Sequence, residues 1–320
     1  VVPLVCLTAL VVFFAFASRH FLRPTTLVLI LQQASVLAVV ATGLTFVVIA
    51  AEIDLSVGML ALWAGTSCGW LFERWIFYRE APLLGTPATL VAVITIPLLA
   101  CLACGLVSGL LTLSSRLPSF LITLAMMFVA EGAAMWLTNN RTFRIPEVLK
   151  LLDRGGLRFG NLPVLSYSVI LAGLVLLAGH LVLRSTRFGR SVYLVGSNRE
   201  AARLTGMRTG RVVVACLMVS ALAAGLGGLM HAGRHQTLTL DQNHDLLLGA
   251  MASVVLGGTS LRGGKGSIAN TLVGVLLFTL LNLGLDQVHW LRTAARPMLN
   301  GIVLLAALLL NGLLDTKRGS

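Results

Sequence analysis

Charge is scarce in this sequence. Asp, Glu, Lys and Arg make up 11% of its 320 residues, where a soluble domain carries about 25%. That shortage excludes an ordinary soluble domain, and an apolar share of 57% with a mean hydropathy of +0.92 points to lipid. Alternating apolar and polar strands, the mark of a membrane barrel, are missing as well. Only helices and closed barrels satisfy their backbone in a bilayer, so the chain reads as an all-α, polytopic membrane protein. Acids are the scarcer sign, 12 against 24 Lys and Arg, for a net charge of +12. The basic excess sits in loops beside apolar runs, where it serves topology and lipid headgroups. It does not indicate nucleic acid.

Reactive groups are equally sparse. The five cysteines (Cys6, Cys68, Cys101, Cys104 and Cys216) all lie in apolar runs. Cys101 and Cys104 make a C-x-x-C inside a span, with no second pair to complete a metal site, and read as small buried hydrophobes. The six histidines (His20, His180, His231, His235, His244 and His289) form no H-E-x-x-H and no metal spacing with cysteine. His231 and His235, four apart at the end of a span, suit interfacial solvation. The glycine stretch around Lys265 fails as a P-loop twice, with Thr259 at the first glycine position and Gly266 where a hydroxyl must follow the lysine. No Ser-His-Asp set with local logic is present. The chain is therefore expected to have no catalytic residue, no metal site and no bound cofactor, and not to hydrolyse ATP itself.

Apolar runs of about 17–25 residues mark spans. They are read at 1–17, 27–51, 55–72, 88–113, 119–138, 162–183, 212–232, 246–261, 267–285 and 297–314, ten in all, the one at 246–261 being short. The chain opens directly in an apolar run without an initiator Met, so a short polar N-terminus is expected to precede it. The opening has no basic n-region and no A-x-A site of a cleavable signal.

Between the sixth and seventh spans lies the most polar stretch, residues 184–211. It holds seven arginines (Arg184, Arg187, Arg190, Arg199, Arg203, Arg208 and Arg211) against one acid, Glu200. An Arg at mid-bilayer costs about 2.5–3.5 kcal/mol even on the lenient insertion scale, so the stretch is an aqueous loop. Its basic density reads as cytoplasmic, and an even span count then puts both termini inside. Lys and Arg divide twelve to each side on that count, so local density carries the assignment. Asn198 suits an N-cap, Glu200 the first turn and Gly206 a C′ position, which predicts a compact helix over Arg199 to Thr205.

Three interruptions stand out. In Ala51-Glu52-Ile53-Asp54-Leu55-Ser56-Val57-Gly58, two carboxylates split an apolar stretch. In Gly257-Gly258-Thr259-Ser260-Leu261-Arg262-Gly263-Gly264-Lys265-Gly266-Ser267, five glycines unwind the backbone. Asp54-Leu55 and Gly58 align with Ser260-Leu261 and Gly264, a short match that points to an internal repeat. Paired breaks in corresponding halves mark a transporter's pathway, because irregular backbone is tolerated where it lines a cavity; tight turns between adjacent helices are the plainer reading. The third is Arg116-Leu117-Pro118-Ser119-Phe120, a basic turn with Pro at a helix start. One acid, Glu131, lies inside a span, where charge is costly and a coupling role is a standing hypothesis; reaching the interface or pairing with an Arg of the following loop would also accommodate it.

These motifs resemble, along nearly the whole chain, the permease of bacterial ribose/xylose/arabinose-type ABC sugar importers. Ile53-Asp54-Leu55-Ser56-Val57-Gly58 is similar to that family's G-I-D-L-S-V-G. Gly105 to Gly109, followed by Arg116 to Leu124, is similar to its G-x-x-N-G and k-x-P-x-F-I-x-T-L. Arg187-Phe188-Gly189-Arg190, Tyr193, Gly196, Asn198, Glu200-Ala201-Ala202-Arg203-Leu204 and Gly206 resemble its T-x-F-G-R loop. Gly257 to Leu261 and Gly263 to Ser267 resemble G-G-T-S-L-x-G-G-x-G-S. Four motifs in order make the resemblance specific.

The resemblance implies a type II ABC importer permease of about ten helices, some broken, forming one transmembrane domain over 1–320 with a cytoplasmic coupling loop at 184–211. It implies partners: cytoplasmic ATPase subunits, which would hold ATP and Mg, a periplasmic or extracellular solute-binding protein, and a second permease copy, in a bacterial inner membrane. ATPase coupling would fall to Arg187, Gly189, Arg190, Asn198, Glu200, Ala201, Ala202, Arg203 and Gly206. The translocation pathway would involve Asp54, Ser56, Gly58, Thr123, Gly257, Gly258, Thr259, Ser260 and Asn282. Thr45, Gln32, Gln33, Thr123 and Asn282 are sugar-binding candidates or interhelical hydrogen-bond partners. The chain departs from the pattern at Ala51 and Glu52, where the family has glycines, and at Leu247, Gly249, Asn270 and Glu131. These departures bear on the solute. The alternatives are an ion-coupled secondary transporter using Glu131, or a same-fold importer of an autoinducer or branched-chain amino acid.

Overall fold

The computed structural model describes residues 2–18, 21–77, 86–115, 117–139, 141–157, 165–235, 240–287, 298, 301, 302 and 305. Nine of the ten expected spans fall on apolar helices: α1 (Val2–Ala17), α2 (Pro24–Ile49), α3 (Val57–Phe72), α4 (Thr86–Ser115), α5 (Ser119–Thr138), α7 (Tyr167–Ser185), α10 (Thr209–His235), α11 (Leu240–Leu256) and α12 (Ile268–Asp286). The tenth, 297–314, lies almost wholly outside the described residues. Six helices, α2, α4, α5, α7, α10 and α12, are long and apolar enough to cross a membrane by length and composition. The polar stretches build α6 (Glu147–Arg154), α8 (Arg187–Ser197) and α9 (Arg199–Leu204).

Some expected boundaries move, for local reasons. The span read at 55–72 continues past Phe72 as a π-helical turn, Glu73–Phe77. The span read at 162–183 begins at Tyr167, after a two-residue antiparallel pairing of β1 (Gly156–Leu157) with β2 (Leu165–Ser166). That pairing is the one departure from a purely helical chain among the described residues. The span read at 246–261 ends at Leu256, where Gly257 and Gly258 unwind it.

Burial orders the helices. In α2 and α10, 67% of the apolar window is buried, against 22% in α4, α5 and α7. A helix apolar all round belongs inside a protein or in lipid, and the two classes separate here. Leu99, Phe128, Val129 and Leu174 stand exposed on the outer helices. The centre is held by close backbone approach, since lipid offers no hydrophobic drive between helices. A Cβ on Gly228 of α10 would fall 2.1 Å from the Ala61 carbonyl of α3. One on Gly43 of α2 would fall 2.9 Å from the Ser220 Cα of α10.

Candidate functional site

The polar island folds as two short helices on the end of the bundle. The Thr186 hydroxyl caps α8 by accepting from Gly189 N–H at 3.1 Å. Asn198, in an extended conformation, separates the helices and caps α9, its Oδ1 accepting from Ala201 N–H at 2.9 Å. The α9 helix ends in a Schellman motif. Gly206 N–H donates to Arg203 O at 2.9 Å and Met207 N–H to Ala202 O at 3.3 Å, with Gly206 at φ +82°. The helix predicted over 199–205 is thus present, one residue shorter. All seven arginines of the island are exposed, as are Asn198, Glu200, Ala201 and Gly206. Gly189 and Ala202 are buried, and a Cβ on Gly189 would meet Leu183 O at 2.2 Å. Exposed Arg187, Arg190 and Arg203 over buried small residues make a basic face on a fixed base.

Both glycine-or-acid interruptions are built by one device. At the end of α2, Ala51 N–H donates to Val48 O and Glu52 N–H to Val47 O, both at 3.0 Å. At the end of α11, Gly258 N–H donates to Val255 O at 2.9 Å and Thr259 N–H to Val254 O at 3.2 Å. Each is a Schellman motif with a left-handed residue, Ala51 at φ +61° and Gly258 at φ +91°. Each then turns on a side chain that accepts from the backbone two residues on. Ser56 N–H donates to Asp54 Oδ1 at 3.0 Å, and Arg262 N–H to Ser260 Oγ at 3.2 Å. The short sequence match between Asp54 and Ser260 therefore has a structural counterpart.

The first break is held firmly. Asp54 is 1% exposed; Ser56 Oγ donates to its Oδ1 at 2.6 Å, and the Ser220 hydroxyl faces the same carboxylate. From α5, Ser119 Oγ accepts from Ile53 N–H at 3.1 Å, and Thr123 Oγ1 accepts from Leu55 N–H at 3.1 Å. Thr123 thus satisfies the unwound backbone. Gly58 is buried where a Cβ would lie 2.4 Å from Asn243 O. In the second break Gly257 packs on Asn270 O, and Thr259 is 2% exposed.

Island and breaks meet. Arg199 Nη1 lies 2.7 Å from Glu52 Oε1. Tyr193 Oη donates to Gly266 O at 2.8 Å, and Gly264 N–H donates to Ile49 O at 2.8 Å. Gly196 sits where a Cβ would fall 1.7 Å from Ile49 O. Partial burial raises the Tyr193 phenol above its usual range. The helix break, the glycine loop and the basic island form one junction at one end of the bundle. This agrees with the alternation of loops that places all three on the same side.

Other sequence candidates lie elsewhere. Asn282 stands fourteen residues along α12 from Ile268, about 21 Å at helical rise. Thr45 bonds Thr271 of α12 at 2.7 Å and serves as an interhelical partner. Gln33 is exposed, and Gln32 belongs to a polar cluster toward the far end. There Arg234 of α10 pairs with Asp153 of α6 at 2.6 Å and donates to Gln32 O. Glu131 is half-buried on α5 and forms no ion pair with a described residue. Near that same end a cleft of about 1000 Å³ opens between Trp70, Glu73, Arg74, Trp136 and Arg141. The sequence reading passed over Arg199 as a partner for Glu52 and Ser119 as a clamp. Their signals were an acid at a position where the family has glycine and a hydroxyl one turn before Thr123.

Residues 26–310 match the profile of the permease component of branched-chain amino acid transport systems. The chain belongs to this family. Among curated relatives, the permease is 30% identical to the ribose import permease protein of Escherichia coli over 308 residues, covering 96% of this chain and 92% of the relative. It is 31% identical to the fructose import permease protein of Rhizobium meliloti, covering 89% and 77%. It is 28% identical to the galactose/methyl galactoside import permease protein of Haemophilus influenzae, covering 90% and 87%. No solved structure gives a significant match. The permease is a multi-pass, largely helical membrane protein and a transport subunit, not an enzyme.

Proposed function

We propose that this permease forms the translocation pathway of an ATP-driven importer for a sugar or related small polar solute. The relatives' names, ribose, fructose and galactose import permeases, support a sugar over an amino acid. In this reading a cytoplasmic ATPase, which holds ATP and Mg, docks on the exposed face of α8 and α9 through Arg187, Arg190, Asn198, Glu200, Ala201 and Arg203. Gly189, Ala202 and Gly206 give that face its shape. A solute-binding protein delivers the cargo from outside, a second permease copy completes the pathway, ten spans cross the membrane, and the complex sits in the bacterial inner membrane. Asp54, Ser56, Gly58, Thr123, Gly257, Gly258, Thr259 and Ser260 form the junction of the pathway, and Asn282 contributes farther along it.

The observation that carries this reading is the junction itself. A solvent-facing basic hairpin is bonded directly to two unwound helix breaks. A rigid helix that shifts against such breaks is a two-state lever of a known kind. Ion coupling through Glu131 receives no comparable support.

The test is uptake and ATP hydrolysis in vesicles holding the permease, its ATPase and its binding protein. The pair Glu200→Lys/Arg203→Glu is expected to abolish both uptake and binding-protein-stimulated hydrolysis in a folded permease. Uptake that persists without the ATPase, follows an ion gradient and is lost in Glu131→Gln overturns the reading.

A further inference from the structure

The α9 helix has a thin attachment to the bundle. It packs on α8 and α10, its buried residue is Ala202, and Leu204 at its end is 81% exposed. Its first residue, Arg199, reaches out of this packing to Glu52, 147 positions earlier in the chain. Glu52 is the third residue past the end of α2 and is 8% exposed, whereas the Arg199 side chain is half-exposed. Among the described residues this is the ion pair that links α9 to another element. Arg199 falls at an unspecified position of its motif and Glu52 stands where the family pattern has glycine, so the four motifs assign neither residue a role.

The far side of the break is held differently. Ser119 and Thr123 clamp Ile53 and Leu55 from α5, and Asp54 is closed on Ser56. Ala51, at φ +61°, is the strained residue between α2 and Glu52. The break is therefore fixed to α5 on one side and to α9 on the other, with a left-handed hinge beside the α9 attachment. A carboxylate so little exposed is costly to leave unpaired. When α9 is displaced, Glu52 either follows Arg199 or loses its partner, and both outcomes change the energy of the break.

We propose that Glu52 and Arg199 are positioning residues for coupling: their ion pair transmits the displacement of α9 to the break between α2 and α3. The proposal rests on the importer reading above. It differs from the docking role of the exposed arginines, because Arg199 faces inward to Glu52 and not toward a partner.

The experiment uses the complete importer in proteoliposomes and reads solute moved per ATP hydrolysed. Arg199→Glu and Glu52→Arg, each alone, are expected to lower that ratio tenfold or more. Their double swap is expected to restore it to within about threefold of wild type, an effect no loss of packing would produce. Should a reversal fail to assemble, Arg199→Gln and Glu52→Gln remove the attraction with little change in shape, and a normal ratio in both overturns the proposal. A double swap no better than the single reversals overturns it as well. Wild-type permease that shows no ATP-driven uptake overturns the importer reading itself, and the proposal with it.

Discussion

Among the described residues two non-glycines take a left-handed φ, Ala51 and Asn139, and Ala51 lacks the polar side chain that lets asparagine tolerate it. Left-handed φ costs an L-residue about 1–2 kcal/mol, and the equivalent positions at the ends of α9 and α11 are the glycines Gly206 and Gly258. Ala51→Gly is therefore expected to raise stability by about 1 kcal/mol, read as a higher unfolding temperature of the purified permease, and Ala51→Val to lower it. Arg234 is the second telling residue. Its guanidinium satisfies Asp153 and the Gln32 carbonyl together. Arg234→Ala leaves that carboxylate unpaired and is expected to cost about 1–3 kcal/mol, measured the same way. Little of this was legible in sequence. Asp153 and Arg234 are 81 positions apart, and Ala51 reveals itself only through its dihedral.

At the scale of elements, α8 matters most because it bridges both breaks. Gly196 allows its backbone to lie against the end of α2, where a Cβ would fall 1.7 Å from the Ile49 carbonyl. That neighbour is backbone and has no rotamer to retreat into. Gly196→Ala is thus expected to cost about 3 kcal/mol and to lift α8 from the junction, seen as protease sensitivity in 184–211. Tyr193→Phe is milder. It removes the bond to Gly266 O, and about 1 kcal/mol is the expected loss. The difference spectrum between wild type and Tyr193→Phe is expected to show the lost phenol titrating above the free-tyrosine range, since burial favours its neutral form. The sign follows: a phenol whose folded pKa is raised contributes stability that is complete below the unfolded value. That contribution fades as pH climbs through the folded one.

For the whole molecule, the test is sidedness. The junction gathers 49–56, 193–199 and 264–266 at one end, and the cleft beside Thr142 lies toward the opposite one. In a background lacking native cysteines, a membrane-impermeant maleimide is expected to label Thr142→Cys in intact cells. It is expected to label Glu200→Cys only after the membrane is opened. The reverse pattern would invert the topology and remove the ATPase face from the cytoplasm.

The sequence by itself determined what short windows encode. Apolar runs specified nine helices, with ends displaced by up to six residues at α11, because each residue's preference for lipid is independent of its partners. The caps at Asn198 and Gly206 were readable because a cap bonds only three to five residues away. The family followed from four short motifs in order. Only the tertiary structure decided that Glu52 belongs with Arg199, that Thr123 clamps the unwound backbone at Leu55, that Thr45 joins α2 to α12, and that α2 and α10 lie inside while α4, α5 and α7 lie outside. Those outcomes depend on which surfaces meet after the helices form. When the spanning helices are apolar on all faces, no periodicity in the sequence says which face that will be.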